Sequence, residues 1–222
     1  MSDTHQVVGP EEPIVWEQYE TIEQQEEANT FGIWLFLAQE IMFFGGLFGA
    51  YAVYRFKFPA EFHEGSLQLS IPWGAVNTSV LLLSSLTMAM CVYHTQRSNV
   101  KKQINYLGAT LLLGCLFLFI KWYFEWPDKF AHHLVPVLDW NPAPGTFTDN
   151  AHAQMFFVLY FIMTSMHALH MVIGVGIGIW LLWMSKTKQL GENRYLPIEF
   201  FGFYWHFVDV VWVFLFPLFY LV

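Results

Sequence analysis

The sequence is short of charge, short of cysteine and, over its first thirty residues, without a single positive side chain. Only 13% of its 222 residues are Asp, Glu, Lys or Arg, about half the proportion of an ordinary soluble domain. Lys and Arg together number 10 and form no basic patch able to neutralise phosphates, which excludes nucleic acid as a partner. The two cysteines, Cys91 and Cys115, sit inside apolar runs and form no paired-cysteine or Cys/His ligand set, so a structural zinc or a covalent haem attachment is excluded. Residues 1–30 have neither the basic start nor the apolar centre of a cleavable signal peptide, and none is expected. No recurring alternation of about ten residues is present, which excludes a membrane barrel.

What remains is apolar and aromatic: 55% of the residues are hydrophobic and 19% are Phe, Trp or Tyr. A helix needs about 20 apolar residues to cross the ~30 Å hydrocarbon layer, and five runs qualify: 31–54, 73–95, 104–126, 154–184 and 199–222. The expected fold is therefore all-α, a polytopic bundle of five transmembrane helices over 31–222, preceded by a tail over 1–30. That tail carries Asp3, Glu11, Glu12, Glu17, Glu20, Glu23, Glu26 and Glu27, the main source of the net charge of −8. It reads as a solvated segment, with docking on a basic surface as the other reading. Prolines at 59 and 72, and at 127, 136, 142 and 144, mark the stretches after the first and third spans as loops. Arg97, Lys101, Lys102, Lys186, Lys188 and Arg194 fall on the side of the N-terminus, against Arg55, Lys57 and Lys129 opposite. The excess of basic residues places the N-terminus in the cytoplasm and the C-terminus outside.

An ionisable group within a bilayer costs roughly 2.5–3.5 kcal/mol to insert, so each one needs a reason. Glu40 has Phe36, Leu37, Phe43 and Phe44 three and four residues away and no Lys or Arg in its span. A carboxylate there lacks water, which favours the neutral acid. It is either a carboxyl hydrogen-bonded to a neighbouring helix or a proton-exchanging, lipid-contacting group. Lys121 and Glu125 share a helix face and read as a structural ion pair with ends reaching toward the boundary. His167 and His170 share a face without a third ligand on their span, and read as packing histidines rather than a metal site. Gly174 and Gly178 have the spacing that lets two helix backbones approach closely. In the last span His206 and Asp209 lie on one face, where the carboxylate could orient or charge the imidazole.

The string Tyr204-Trp205-His206-Phe207-Val208-Asp209-Val210-Val211-Trp212 closely resembles the signature of subunit III of haem–copper terminal oxidases. His167-Ala168-Leu169-His170-Met171-Val172-Ile173-Gly174 is similar to that family's H-x-L-H-V-x-x-G segment. Asn77-Thr78-Ser79-Val80-Leu81-Leu82 followed by Ser84-Ser85 matches another of its stretches, and Glu125 resembles its E-Y element with Trp126 in place of tyrosine. The resemblance covers 31–222 in its five-span bacterial form. It implies a subunit of a cytochrome c oxidase-like complex that binds no haem, copper or other metal itself. Haem and copper then reside in partner subunits. It also implies packing against catalytic subunit I, support of proton uptake and durability, and a phospholipid held in a cleft. That cleft is expected between spans one and two and spans three to five, a 2+3 split. Glu40 aligns with the family's carbodiimide-reactive carboxylate, a feature that favours cytochrome c over quinol as electron donor. Lys121 departs from the neutral residue expected beside Glu125.

Two other classes compete. One is the corresponding subunit of a quinol oxidase or nitric oxide reductase. The other is a small ion transporter using Glu40, His206 and Asp209 as a relay, although neither inverted repeats nor broken helices are evident.

Overall fold

The computed structural model describes residues 18–136, 138–143, 145–187 and 196–222. The first part of the acidic tail, together with Lys188 and Arg194, lies outside them. Its elements run α1 (Ile22–Lys57), α2 (Pro59–Leu67), α3 (Ile71–Gln96), α4 (Val100–Ile120), a π-helical turn (Lys121–Glu125), α5 (Trp126–Ala131), β1 (Leu134–Val135), β2 (Asp139–Trp140), α6 (Asn150–Lys186) and α7 (Leu196–Tyr220). Among the described residues, five helices are long and apolar enough to cross a membrane. Each contains one of the apolar runs, the third running on from α4 through the π turn and α5 to Ala131, except that α7 ends two residues before the last run does.

Local chemistry sets the ends of these elements. The Thr21 side chain accepts from the Gln24 amide at the start of α1, Asn99 caps α4 through the Lys102 amide, and Asp149 caps α6 through the amides of Ala151 and His152. Pro59 opens α2, where its missing N–H costs nothing. The stretch after the first span is thus a short helix rather than the loop expected from its prolines. The 37 residues of α6 extend about 55 Å at 1.5 Å per residue, so its ends project beyond the hydrocarbon.

The packing is uneven. Helices α3, α4, α6 and α7 enclose the core, in which Trp205, Trp212, Phe117, Phe156, Tyr160 and Met88 are fully buried. Gly178 allows this closeness: a Cβ there would fall 2.4 Å from Leu111 of α4 and 3.0 Å from Phe201 of α7. At Gly174 it would meet Tyr204 and Trp205 of α7. By contrast α1 buries only Glu40, Phe44 and Tyr51, all in its second half. The Tyr51 hydroxyl donates to the Leu218 carbonyl, and α2 packs on α6 with Gly65 against Phe156. These contacts tie down the end of α1 and leave its first half standing off.

The expected 2+3 division is therefore corrected. Span two is not paired with span one; α3 lies against α4 and α7, and the separated element is α1 alone. Hydroxyl and indole groups along α3 and α7 give the physical reason. The Trp205 indole donates to Ser84 Oγ (2.9 Å), the Trp212 indole donates to Thr78 Oγ1 (3.1 Å), and Ser85 Oγ lies 2.8 Å from His206 Nδ1. In hydrocarbon, where small and polar residues do the work of association, such bonds fix a helix pair.

Outside the spans, the 127–149 connection is pinned to α2 by Glu64, whose carboxylate accepts from both the hydroxyl and the amide of Thr148. These bonds, the hydroxyl first, hold the Glu64 carboxyl below the usual carboxylate range. Because the folded form prefers the ionised state, the tether is present at neutral pH and is lost as pH falls through the depressed value. Amide hydrogen exchange across 145–149, corrected for intrinsic rates, should show protection falling only once pH drops below the ordinary carboxylate range. Glu64→Gln should flatten that dependence.

Candidate functional site

Two buried polar centres stand out, one at the α1 groove and one at the far end of the four-helix core. At the first, Glu40 of α1 meets His170 of α6, with Oε2 3.0 Å from Nε2. The other ring nitrogen, Nδ1, lies 2.7 Å from the Met166 carbonyl oxygen, which can only accept. Nδ1 therefore carries a hydrogen, and Nε2 and Glu40 share one further proton between them. Whether that proton sits on the acid or on the ring, the pair is neutral overall. The partner of Glu40 thus lies on a neighbouring helix, 130 residues away in sequence. The Tyr204 hydroxyl donates to the His170 carbonyl (2.8 Å), and the Phe44 ring lies 5.4 Å from the imidazole.

Glu40 and His170 line an apolar groove of about 440 Å³ together with Ile33 and Phe36 of α1, Ile173 and Ile177 of α6, and Phe201 of α7. A second space of about 370 Å³ shares Ile33, Phe36, Pro197 and Phe200 with it and continues to Asn29 and Gly32. The groove thus runs along the detached half of α1, from the membrane face bearing the start of that helix to the Glu40–His170 pair.

The second centre is the ion pair of Lys121 and Glu125, 2% and 4% exposed. Its ends do not reach toward the boundary as expected; the pair is enclosed. The lysine ammonium donates to Glu125, to Tyr160 of α6 (3.1 Å) and to Tyr220 of α7 (2.9 Å), using all three hydrogens. Tyr220 in turn donates to the same carboxylate oxygen, and Asn77 of α3 donates to the other at 3.1 Å. The Trp212 ring lies 4.7 Å from the ammonium, a favourable cation–π position. The pair sits in a π turn closed by the Trp126 amide on the Lys121 carbonyl. Pro127 follows, and a widened turn accommodates a residue that cannot continue the α ladder.

Other expected sites fare differently. His206 bonds to Ser85 rather than to Asp209, whose carboxylate is 3% exposed and has no hydrogen-bond partner on either oxygen. The proposed His206–Asp209 couple is not formed. His167, 1% exposed, packs between Phe117 and Trp212 with both nitrogens unpartnered. The two histidines do not converge on a metal, since His170 commits both nitrogens elsewhere. Among the described residues Glu61, Asp149 and His152 bring one ligand atom each within 4.8 Å of one another. The 2.7 Å bond from His152 to Asp149 and the stacking of Phe58 on that ring account for the grouping.

Residues 17–222 match the family model described as cytochrome c oxidase subunit III. The chain belongs to that family. It is 33% identical over 200 residues to the cytochrome c oxidase subunit 3 of Bacillus sp. (strain PS3), covering 88% of this chain and 87% of that one. It is 28% identical over 202 residues to a "Probable quinol oxidase subunit 3" of Staphylococcus aureus, covering 88% and 90%. A "Heme-copper oxidase subunit I+III" of Aeropyrum pernix is 30% identical over 196 residues, 86% of this chain but only 22% of that longer protein. As a subunit III the chain is an accessory component of a haem–copper oxidase and associates with its other subunits in the membrane. The transporter reading falls with that membership.

Sequence reasoning missed Asn77, Tyr160 and Tyr220 as ligands of the buried pair. Asn77 belonged to a recognised motif, but nothing in the spacing of the two tyrosines pointed to Lys121. Breaking a buried pair by removing one charge costs about 3–5 kcal/mol, far more than replacing both. Lys121→Met or Glu125→Gln alone should therefore lower the thermal stability of the purified complex sharply. The double variant should recover most of the loss, as read by an assembly melt.

Proposed function

We propose that this chain is the non-catalytic subunit III of a proton-pumping oxidase, that it steadies catalytic subunit I, and that it holds a phospholipid beside α1. The observation carrying this reading is the Glu40–His170 pair in the lining of an apolar groove. A groove with hydrocarbon-like walls and one neutral polar pair suits an acyl chain better than a soluble substrate. It also lies next to a proton-bearing group, consistent with support of proton uptake. Haem and copper belong in partner subunits on this reading, because the chain's two intramembrane histidine neighbours are respectively enclosed by aromatic rings and committed to Met166 and Glu40. Subunit I is the natural partner, since the Aeropyrum relative is named as a fusion of subunits I and III.

The setting is the bacterial cytoplasmic membrane, with the N-terminus inside. Arg97, Lys101, Lys102 and Lys186 support this, lying on the face opposite Arg55, Lys57 and Lys129. A quinol oxidase is the second reading, favoured by the similar coverage of the Staphylococcus relative. The electron donor consumed by the purified complex separates the two.

The test uses the assembled complex. A hydrophobic carbodiimide should label Glu40 rather than the glutamates of the tail. Glu40→Gln keeps the shape and a hydrogen-bonding amide, so assembly and most of the initial oxygen consumption should survive. Co-purifying phospholipid, measured by mass spectrometry, should fall, and activity should decay faster over many turnovers. Immediate and complete loss of oxygen consumption in a fully assembled variant would contradict the accessory role.

A further inference from the structure

The end of the bundle opposite the Glu40 groove carries a smaller, polar pocket of about 130 Å³. It lies where α3 begins and where α7 and the π turn end. Trp73 and Phe124, partly exposed and stacked 4.4 Å apart, belong to its lining. So do Glu125, Tyr160 and Tyr220 of the buried cluster, and Asp128 and Lys129 of α5. The Asp128 side chain is 46% exposed, which puts this end of the pocket at a wet boundary. The pocket therefore joins water to the ion pair, and nothing in the role of the Glu40 groove uses it.

A water occupies about 30 Å³ and needs two to four polar partners, so the space admits roughly four waters. The walls supply two carboxylates, an ammonium and three hydroxyls, those of Ser70, Tyr160 and Tyr220. An acyl chain there would meet Leu69, Trp73 and Phe124 but would also lie against the carboxylates and hydroxyls and strip Asp128 of solvent.

A second observation is independent of the pocket. Asn77 donates through Nδ2 to Glu125, yet its Oδ1 is buried without a hydrogen-bond partner. The Trp126 indole nitrogen and both nitrogens of His167 are likewise unpartnered. These groups surround the π turn: Trp126 closes it, Asn77 binds its carboxylate, and His167 shares the Trp212 ring with Lys121. Buried polar atoms without partners are rare in folded proteins, and each calls for a small polar guest such as water.

We infer that this pocket is a hydrated vestibule through which the Lys121–Glu125–Tyr160–Tyr220 cluster exchanges protons with the membrane face at the end of α7. An arriving proton, carried by a pocket water, binds a carboxylate oxygen of Glu125 and leaves a neutral water behind. Departure is the reverse. No electron moves and no carbon bond changes. The groups that face Glu125 are Lys121 of its own turn, Asn77 of α3, Tyr160 of α6 and Tyr220 of α7. Asp128 and Lys129 stand on the boundary side. The vestibule serves the face opposite the one on which the Glu40 groove opens, and His167, one helical turn before His170 on α6, shares the Trp212 ring with Lys121.

The experiment uses the assembled complex in detergent. A high-resolution density map should show ordered waters within hydrogen-bond distance of Glu125 and Tyr220. On transfer to deuterium oxide, the infrared bands of the tyrosine hydroxyls, assigned with Tyr160→Phe and Tyr220→Phe, should shift within the mixing time. Ser70→Trp, which fills the pocket from the α3 side, should slow that shift by about tenfold or more, because exchange then waits on local opening. A dry pocket or acyl-chain density in it would overturn the inference. So would tyrosine exchange in the wild-type complex no faster than that of the α4 backbone amides. If Ser70→Trp does not assemble, the wild-type density and exchange rate decide alone.

Discussion

A charge in hydrocarbon must bring its own solvent, and the rest of this structure depends on how Lys121 and Glu125 meet that demand. Their pair draws a ligand from every other helix of the core: Asn77 from α3, Tyr160 from α6, Tyr220 from α7. Each of these bonds is available only when the helices stand at one set of distances. The pair therefore acts less as a source of net stability than as a constraint on register, since burying two charges roughly cancels what their attraction returns. Apolar contacts among Trp205, Trp212, Phe117 and Phe156 then fill the space the constraint defines.

Helix α1 escapes that constraint, and its freedom is what makes a groove. It carries no group bonded to the cluster and is fastened at its far end through Tyr51 and α2. Its polar contact beside the groove is Glu40 with His170 of α6. The protein thus holds two polar centres of different kinds. One joins the helices of the core through Asn77, Tyr160 and Tyr220; the other borders an apolar groove.

Much of this was legible in the sequence. The length and polarity of the five apolar runs gave the spans, because the bilayer imposes a length on any crossing helix. The motifs around Asn77, His170 and His206 pointed to the family, and Lys121 and Glu125 were placed on one face by their spacing. The structure shows why two of those motifs travel together: Thr78, Ser84 and Ser85 meet Trp212, Trp205 and His206 across the α3–α7 seam. What was not legible is what depends on distant pairing. Glu40 and His170 are far apart in the chain, and so are Lys121 and Tyr220, and no periodicity reports such contacts. The 2+3 split failed for the same reason, since sequence order suggested neighbours that side-chain chemistry did not choose. The His206–Asp209 reading failed because two groups on one helix face still point toward different neighbours, here Ser85 and the core.

In the proposed role, this chain shapes and sustains an oxidase without taking part in electron transfer. Selective removal of the chain from the purified complex, followed by a visible spectrum and a single oxygen-consumption trace, tests it directly. An unchanged haem spectrum and a largely preserved initial rate, followed by accelerated decay, are expected. Loss of haem absorbance, or no oxygen consumption from the first turnover in a complex that retains its catalytic subunit, would contradict it.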